Sequence, residues 1–331
     1  RNAGVSTALG TLNFNTTLSK MEYYNGNRWV QITDKFLSVS GGTQSTFGNY
    51  SLFTFTSNGT FTVGGEGNID ILVVAGGGQG GLPSASVSNY GGGGGAGGLV
   101  WYTGFKVEEG NYSIVVGNGG AETSSGSGNR QGNDGADSTA FGLTAKGGGG
   151  GGGQGGTANG RPGGSGGGAG YTGGNSGGAS ATQSSQSNGG VGTLVHNLGN
   201  NGSNANTNPN GGGGGGGAGG AGFSSGATTN GGAGFNMSSL LGTAVGDSGW
   251  FAGGGGGTNY NSGSYAGSNG GNGGGGNGTY YNSTFSPTAG QANTGGGGGA
   301  GRNGGFGATD SGDGEAGGSG VVIIRVLTSL L

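Results

Sequence analysis

The sequence predicts a mostly β and irregular fold: a small β layer plus a bundle of polyglycine II helices joined by surface loops, with little or no α-helix. Three observations predict it. Glycine supplies 103 of 331 residues, against about 7% in ordinary proteins. The glycines sit in compact tracts, at 76–81, 91–98, 147–156, 163–170, 211–222, 231–234, 253–257, 270–278, 295–301 and 317–320. Apolar residues reach only 28%, so a conventional core for the whole chain is not available.

The elements follow in order. Residues 1–47 read as an N-terminal β-hairpin element, with 20–24 and 29–32 flanking Asn25-Gly26, a favoured turn pair because both positions tolerate φ > 0. Tyr23 and Trp29 are expected to share a face. Residues 48–146 form the β layer with the first Gly tracts. In it, 50–63 is expected to fold into a second hairpin around Asn58-Gly59. Short strands are expected at 69–75, 98–102, 112–116 and 140–145. Residues 147–320 form the bundle. Residues 321–331 supply a last strand that returns to close the β layer. Asp70 and Arg325 interrupt the two longest apolar runs.

Gly-rich sequence without a period is disordered by default. Here the tracts alternate with patterned strands and aromatic-bearing loops, which a solvating linker does not need. No Gly-X-Y period exists and Pro numbers 4, which excludes collagen. An α-helix is penalised by about 1 kcal/mol per Gly, and a strand of pure Gly has no side chains to pack. The threefold extended helix remains, with 3 residues per turn and a rise of about 3.1 Å. Its N–H and C=O groups point outward in three directions. Neighbouring helices can satisfy them only where no Cβ intrudes.

Several chemistries are excluded. Ten Lys plus Arg in 331 residues and a net charge of −3 cannot form a phosphate-neutralising stripe, so no nucleic-acid partner is expected. The apolar runs fall far short of the roughly 20 residues of a membrane-spanning helix, so no membrane insertion is expected. The chain begins at Arg1, the mark expected of processing or of a longer parent. There is no Cys, and His196 stands alone, which leaves neither a thiolate site nor a multi-His site. GxGxxG carries no weight in such a chain, and no GxxxxGK[ST] occurs. The expectation is no enzyme, no metal and no cofactor. The acidic groups Asp134 with Asp137, and Asp310 with Asp313 and Glu315, are the candidate Ca²⁺ ligands. Their spacing does not match an EF-hand, and solvated turns are the plainer reading. Sequons such as 58–60 and 277–279 arise by chance at this Asn, Ser and Thr content.

The stretches FTFTSNGTFTV, IDILVVAGGGQGG, GGGGGAGGLV, GNYSIVVGNGG, TAKGGGGGGG and GGSGVVIIRV, in that order over about 50–327, resemble the glycine-rich domain of phage and marine-virus tail-fibre proteins. They are similar to the polyglycine II distal tail-fibre adhesins of T-even-like phages. The N-terminal GTLNFNTTLSKMEYYNGNRWVQI is similar to short β elements of virion proteins. The resemblance implies an extracellular virion component, a fibre or tail-fibre adhesin that binds a host receptor through loops on a polyglycine II scaffold. The N-terminal element would serve attachment or virion assembly. Its partners would be virion fibre or capsid proteins, a host surface protein or glycan, and further copies of the chain. The alternatives are a capsid-decoration protein or extracellular filament subunit, and an ice-binding protein, for which no regular Thr row is seen. If each tract from Gly147 onward crosses the bundle once, connections 171–210, 235–252 and 279–294 share one end. They carry Trp250, Phe251, Tyr280, Tyr281 and Phe285, which either lid the open end of the lattice or bind a partner surface; the expectation is that they form part of the receptor-facing surface. The same count brings the β layer to that end, unless a hidden crossing intervenes.

Overall fold

The computed structural model describes residues 8–31, 37–82, 90–123, 130–153, 157–171, 173, 176–183, 192–207, 210–226, 228–259, 268–279, 286–302 and 313–331. Three strands, β1 (Leu12–Asn15), β2 (Lys20–Tyr24) and β3 (Trp29–Gln31), make an antiparallel meander. Asn25 builds the β2–β3 turn, its Oδ1 accepting the N–H groups of Asn27 and Arg28 at 3.0 and 2.9 Å. Tyr23 stands opposite Val30 while Trp29 stands opposite Tyr24. Tyr23 and Trp29 therefore lie on opposite faces, and it is Tyr24 whose ring meets Trp29, at 5.6 Å.

A β-sandwich follows. Its strands are β4 (Ser38–Ser40), β5 (Thr43–Phe47), β6 (Tyr50–Phe55), β7 (Gly59–Gly64), β8 (Gly67–Val74), β9 (Leu99–Val107), β10 (Gly110–Val115), β11 (Ser138–Ala140) and β12 (Leu143–Ala145). After β13 (Thr193–Leu198) come the two-residue strands β14 (Asn206–Thr207), β15 (Asn210–Gly211), β16 (Phe235–Asn236) and β17 (Trp250–Phe251), and the closing β18 (Val321–Leu327). One sheet runs β12-β11-β10-β7-β4 and the other β13-β9-β8-β18-β6-β5. β4 and β5 pair with β7 and β6, so the sandwich begins before residue 48. β6 and β7 are not a hairpin: they belong to different sheets. Asn58-Gly59 turns a corner between the sheets, and Asn58 Oδ1 holds the Val116 N–H at 2.9 Å.

The last strand, β18, does close the layer, as the central strand between β8 and β6. Alternate residues explain its composition. Val322, Ile324 and Val326 join Ile69, Ile71, Val73, Phe53, Phe55 and Phe61 between the two sheets. Val321 and Ile323 face the other way, with Leu72, Val74, Leu99 and Trp101. That second face is covered by Met237, by Leu241 of the single-turn helix α1 (Ser238–Leu241), and by Phe251, Ala218 and Ala252. A sheet buried on both faces reads as unbroken apolar runs. The two charged interruptions meet each other across the register, Arg325 beside Asp70. Arg325 Nε and Nη2 donate to Asp70 Oδ2 at 2.9 and 2.8 Å, and Nη1 donates to the Leu240 carbonyl at 3.0 Å. The guanidinium lies 4.2 Å from the centre of the Tyr50 ring.

Beyond the sandwich the chain forms a lattice of backbone. Along 75–82 successive N–H groups donate in rotation to three neighbours. Ala75, Gly78 and Gly81 donate to Gly98, Gly95 and Gly92; Gly76, Gln79 and Leu82 donate to Ala136, Asn133 and Arg130; Gly77 and Gly80 donate to Gly318 and Glu315. A direction that repeats every third residue is that of a threefold helix, whereas a pleated strand alternates between two sides. The carbonyls of the same tract accept from three further tracts: Gly76 and Gln79 from Gly148 and Gly151, Gly77 from Gly120, Gly78 and Gly81 from Gly298 and Gly301. Tract 91–98 repeats the pattern, donating to 146–152, 213–216 and 295–298 while accepting from 75–81, 165–168 and 255–258. Six neighbours around each inner helix make a hexagonal array. Each neutral bond contributes only about 0.5–1.5 kcal/mol net, but each unmade buried group costs about 1–3 kcal/mol. The array therefore forms as a whole or not at all.

Where a side chain enters the lattice it imitates backbone. Gln79 is fully buried. Its Nε2 donates to the Gly314 carbonyl at 2.8 Å and its Oε1 accepts the Asn133 N–H at 3.0 Å, so the amide replaces a peptide group. Among the described residues no helix is long and apolar enough to cross a membrane.

Candidate functional site

Hydrogen-bond register divides the bundle into two ends. Ala75, Gly98, Gly117, Ala218, Ala252, Gly295 and Gly320 share the level next to the sandwich. They are linked by Ala75 to Gly98, Ala218 to Ala252, Gly97 to Gly295 and Gly320 to Gly117. At the far level Leu82 donates to Arg130, Gly301 to Gly81, Thr258 to Gly91 and Asn259 to Thr279. Tyr90 bridges both Tyr171 and Arg302 there.

This geometry separates the aromatics that the one-crossing count had grouped. Trp250 and Phe251 lie at the sandwich end, where β17 pairs with β16. Phe251 is fully buried against the second face of the six-stranded sheet. It anchors the start of tract 252–258 and cannot face a receptor; Trp250, half-buried beside it, belongs to the same end. Tyr280, Tyr281 and Phe285 lie outside the described residues, and Thr279, which precedes them, is at the far level. The count failed because segments poor in glycine also cross. Residues 157–162 run antiparallel to 163–170, with Gly170 donating to Ala158 and Gly167 to Arg161. Residues 176–182 and 199–205 pair antiparallel as well, through Gly202 to Ala179 and Ala205 to Ser176.

The far end has aromatic residues that the sequence reading did not single out. Tyr90 is buried, and its ring lies 6.0 Å from that of Tyr171. Each abuts a Gly tract directly, in Tyr90-Gly91 and Gly170-Tyr171, and that adjacency was the available clue. Phe223, whose carbonyl accepts the Gly214 N–H part-way along the bundle and which leads into the 225–228 turn, is 51% exposed.

The acidic candidates have another use. Asp134 and Asp137, three residues apart on one crossing, accept the N–H groups of Gly150 and Gly147 at 2.9 and 2.8 Å. Their carboxylates stand where a neighbouring helix would place carbonyls. Arg161 binds Asp134 through Nε and Nη2 at 2.8 and 2.6 Å, and Lys146 binds Asp137 at 2.7 Å. Asn201 and Asn204 do the same for Ala181 and Gly178. Asp134→Ala is therefore expected to cost about 1–3 kcal/mol by stranding an N–H, and Asp134→Asn less, in urea unfolding. Added Ca²⁺ should not move the melting temperature of either variant.

Burial pushes the Glu315 carboxyl above its ordinary value, and the charges of Glu122 and Asp313 push it the same way. Asp310 lies outside the described residues. A raised carboxyl binds its proton more tightly in the folded state. Stability from this group is thus complete below the ordinary carboxyl range and is lost as pH rises through the raised value. Glu315→Gln should raise the melting temperature at neutral pH and flatten its decline between mildly acid and neutral pH. An unchanged pH profile would contradict the burial of this carboxyl. No group of three or more His, Cys, Asp or Glu side chains arranged for a metal occurs among the described residues.

A family model described as a glycine-rich domain matches residues 55–327. No curated protein matches the chain.

Proposed function

Because the chain belongs to the glycine-rich domain family, we propose that its lattice is the scaffold of an extracellular virion fibre adhesin of the tail-fibre kind, which attaches a phage to a host surface protein or glycan through the far end. The observation that carries this reading is the division of ends. The sandwich occupies one end, and at the other the helices turn back under a rim of Tyr90, Tyr171 and Arg302, with the exposed Phe223 leading into the 225–228 turn. Binding residues concentrate on connections held by rigid scaffolds, and a hexagonal backbone array is such a scaffold. Tyr and Phe supply contact area at low conformational cost. Tyr280, Tyr281 and Phe285 are the sequence-based candidates for the same face.

The test is competition for adsorption. The purified chain should block phage adsorption to the host. A variant with Phe223, Tyr280, Tyr281 and Phe285 changed to Ala should lose that block and keep its melting temperature. Full competition by the variant would place the receptor surface elsewhere. No competition by the parent chain would remove the adhesin reading.

A further inference from the structure

Tract 91–98 lies at the centre of six others, 76–82, 147–153, 163–170, 211–218, 253–258 and 295–301. A second hexagonal shell around these has edge positions, each touching two inner tracts, and corner positions, each touching one. Segments 130–136, 157–162, 199–205, 228–232, 275–279 and 313–318 fill all six edges; Gly76 donates to Ala136, for example, and Gly132 to Gly151. Five corners hold 118–120, 176–182, 220–223, 268–272 and 288–291. A filled corner bonds to its inner tract and to both flanking edges, as Gly271 donates to Gly254, Gly231 to Asn269 and Gly278 to Ser268. The sixth corner adjoins 147–153, between 130–136 and 157–162, and among the described residues no tract stands in it. Side chains do. Gln131, Asp134 and Asp137 recur every third residue and so form one row of a threefold helix. Asp137 and Asp134 Oδ1 accept the Gly147 and Gly150 N–H groups at 2.8 and 2.9 Å. Gln131 Nε2 donates to the Asn159 carbonyl at 2.7 Å, and Arg161 binds Asp134 from the same flank. The row gives the inner tract its acceptors and the far flank a donor, as a corner helix would.

We propose that this row is a strap that shuts the sixth corner against a glycine tract of a second copy whose own lattice has not yet closed. Without the strap, the Gly147 and Gly150 N–H groups would stand as a row of open donors along a finished lattice. Such a row is the counterpart of an open sheet edge, which is a template for pairing with another chain. The corner selects its occupant by shape. In each filled corner a glycine leaves no room for a Cβ: one built at Gly120, Gly178, Gly222, Gly271 or Gly290 would strike the carbonyl oxygen of Asn133, Gly202, Gly214, Gly232 or Gly296. A glycine-rich threefold helix therefore fits, and unclosed copies of this chain are its ready source. To enter, it must displace the carboxylates from Gly147 and Gly150 and break their pairs with Lys146 and Arg161.

Amide hydrogen exchange, read by NMR on the full chain, tests this with a peptide of about nine glycines flanked by lysines as the probe. In the parent, the Gly147 and Gly150 amides should be protected and the peptide should change nothing. In the variant carrying Gln131→Gly, Asp134→Gly and Asp137→Gly, both amides should exchange at least tenfold faster. The peptide should restore their protection, and its alanine counterpart should not. Should the triple variant fail to fold, Asp134→Gly alone is read at Gly150 in the same way. Refolded from urea at micromolar concentration, the open variant should give larger species than the parent in sedimentation velocity. A folded open variant whose amides the peptide leaves unprotected overturns the proposal, as does equal binding of the peptide to the parent. Equal species sizes after refolding would remove the second copy as the partner.

Discussion

Gly94→Val is expected to prevent the lattice from closing, with a loss of at least ~3 kcal/mol, because several buried polar groups would each go unmade at about 1–3 kcal/mol. Gly94 donates to the Gly298 carbonyl at 2.9 Å and accepts the Gly255 N–H at 2.8 Å. A Cβ built at this position would overlap the carbonyl oxygen of Gly78. That obstacle is backbone held by its own neighbours, so no rotamer change relieves it. The control is Gly110→Ala, where a Cβ meets nothing within 4 Å and φ is not in the left-handed region. It should change stability by no more than about 0.5–1 kcal/mol. Urea unfolding of both variants checks the contrast. Equal effects would mean that the glycines matter for chain flexibility and not for close approach.

Arg325→Met is expected to cost about 3–5 kcal/mol, the usual consequence of leaving one member of a buried ion pair behind. Both side chains are largely buried, at 10% and 17% exposure. Loss of Arg325 also frees the Leu240 carbonyl, and with it the tie between α1 and the sheet. Asp70→Asn combined with Arg325→Met should recover most of the loss. The amide oxygen can still accept the Gly104 N–H, held at 2.9 Å by Asp70 Oδ1, while the uncompensated charge is gone. A double variant as unstable as Arg325→Met would assign the cost to packing against Tyr50 and Trp101.

The parts of the fold legible in the sequence were those where one residue type carries one constraint. Tract 76–81 had to be a threefold helix because little else suits adjacent glycines. The run 321–327 was legible as a strand that returns to close the β layer, and its burial on both faces came only with the structure. The parts that misled were those where tertiary context substitutes for composition. At the perimeter only some positions of a helix meet backbone, so 157–162 and 199–205 cross the bundle with Asn, Arg and Ser in place of Gly. The side chains of Asn159, Asn201 and Asn204 there, like Asp134 and Asp137 on another crossing, cap neighbouring N–H groups, a role that composition alone presents as solvated turns. Asn58-Gly59 carried a strong turn preference, but a turn preference does not say whether the next strand stays in the same sheet. Phe251 looked like a loop aromatic because the apolar surface it covers, Leu72, Leu99 and Trp101, is distant in sequence.

The glycine tracts form threefold helices, the inner ones bonded to six neighbours. Scalar couplings across hydrogen bonds, measured by NMR on the isotope-labelled chain, test it directly. The structure predicts that the amides of Gly76, Gly77 and Gly78 couple to the carbonyl carbons of Ala136, Gly318 and Gly95 respectively, three successive residues on three separate tracts. Couplings that alternate between two tracts would describe pleated strands, and absent couplings would describe a solvated chain. Either result would contradict the lattice.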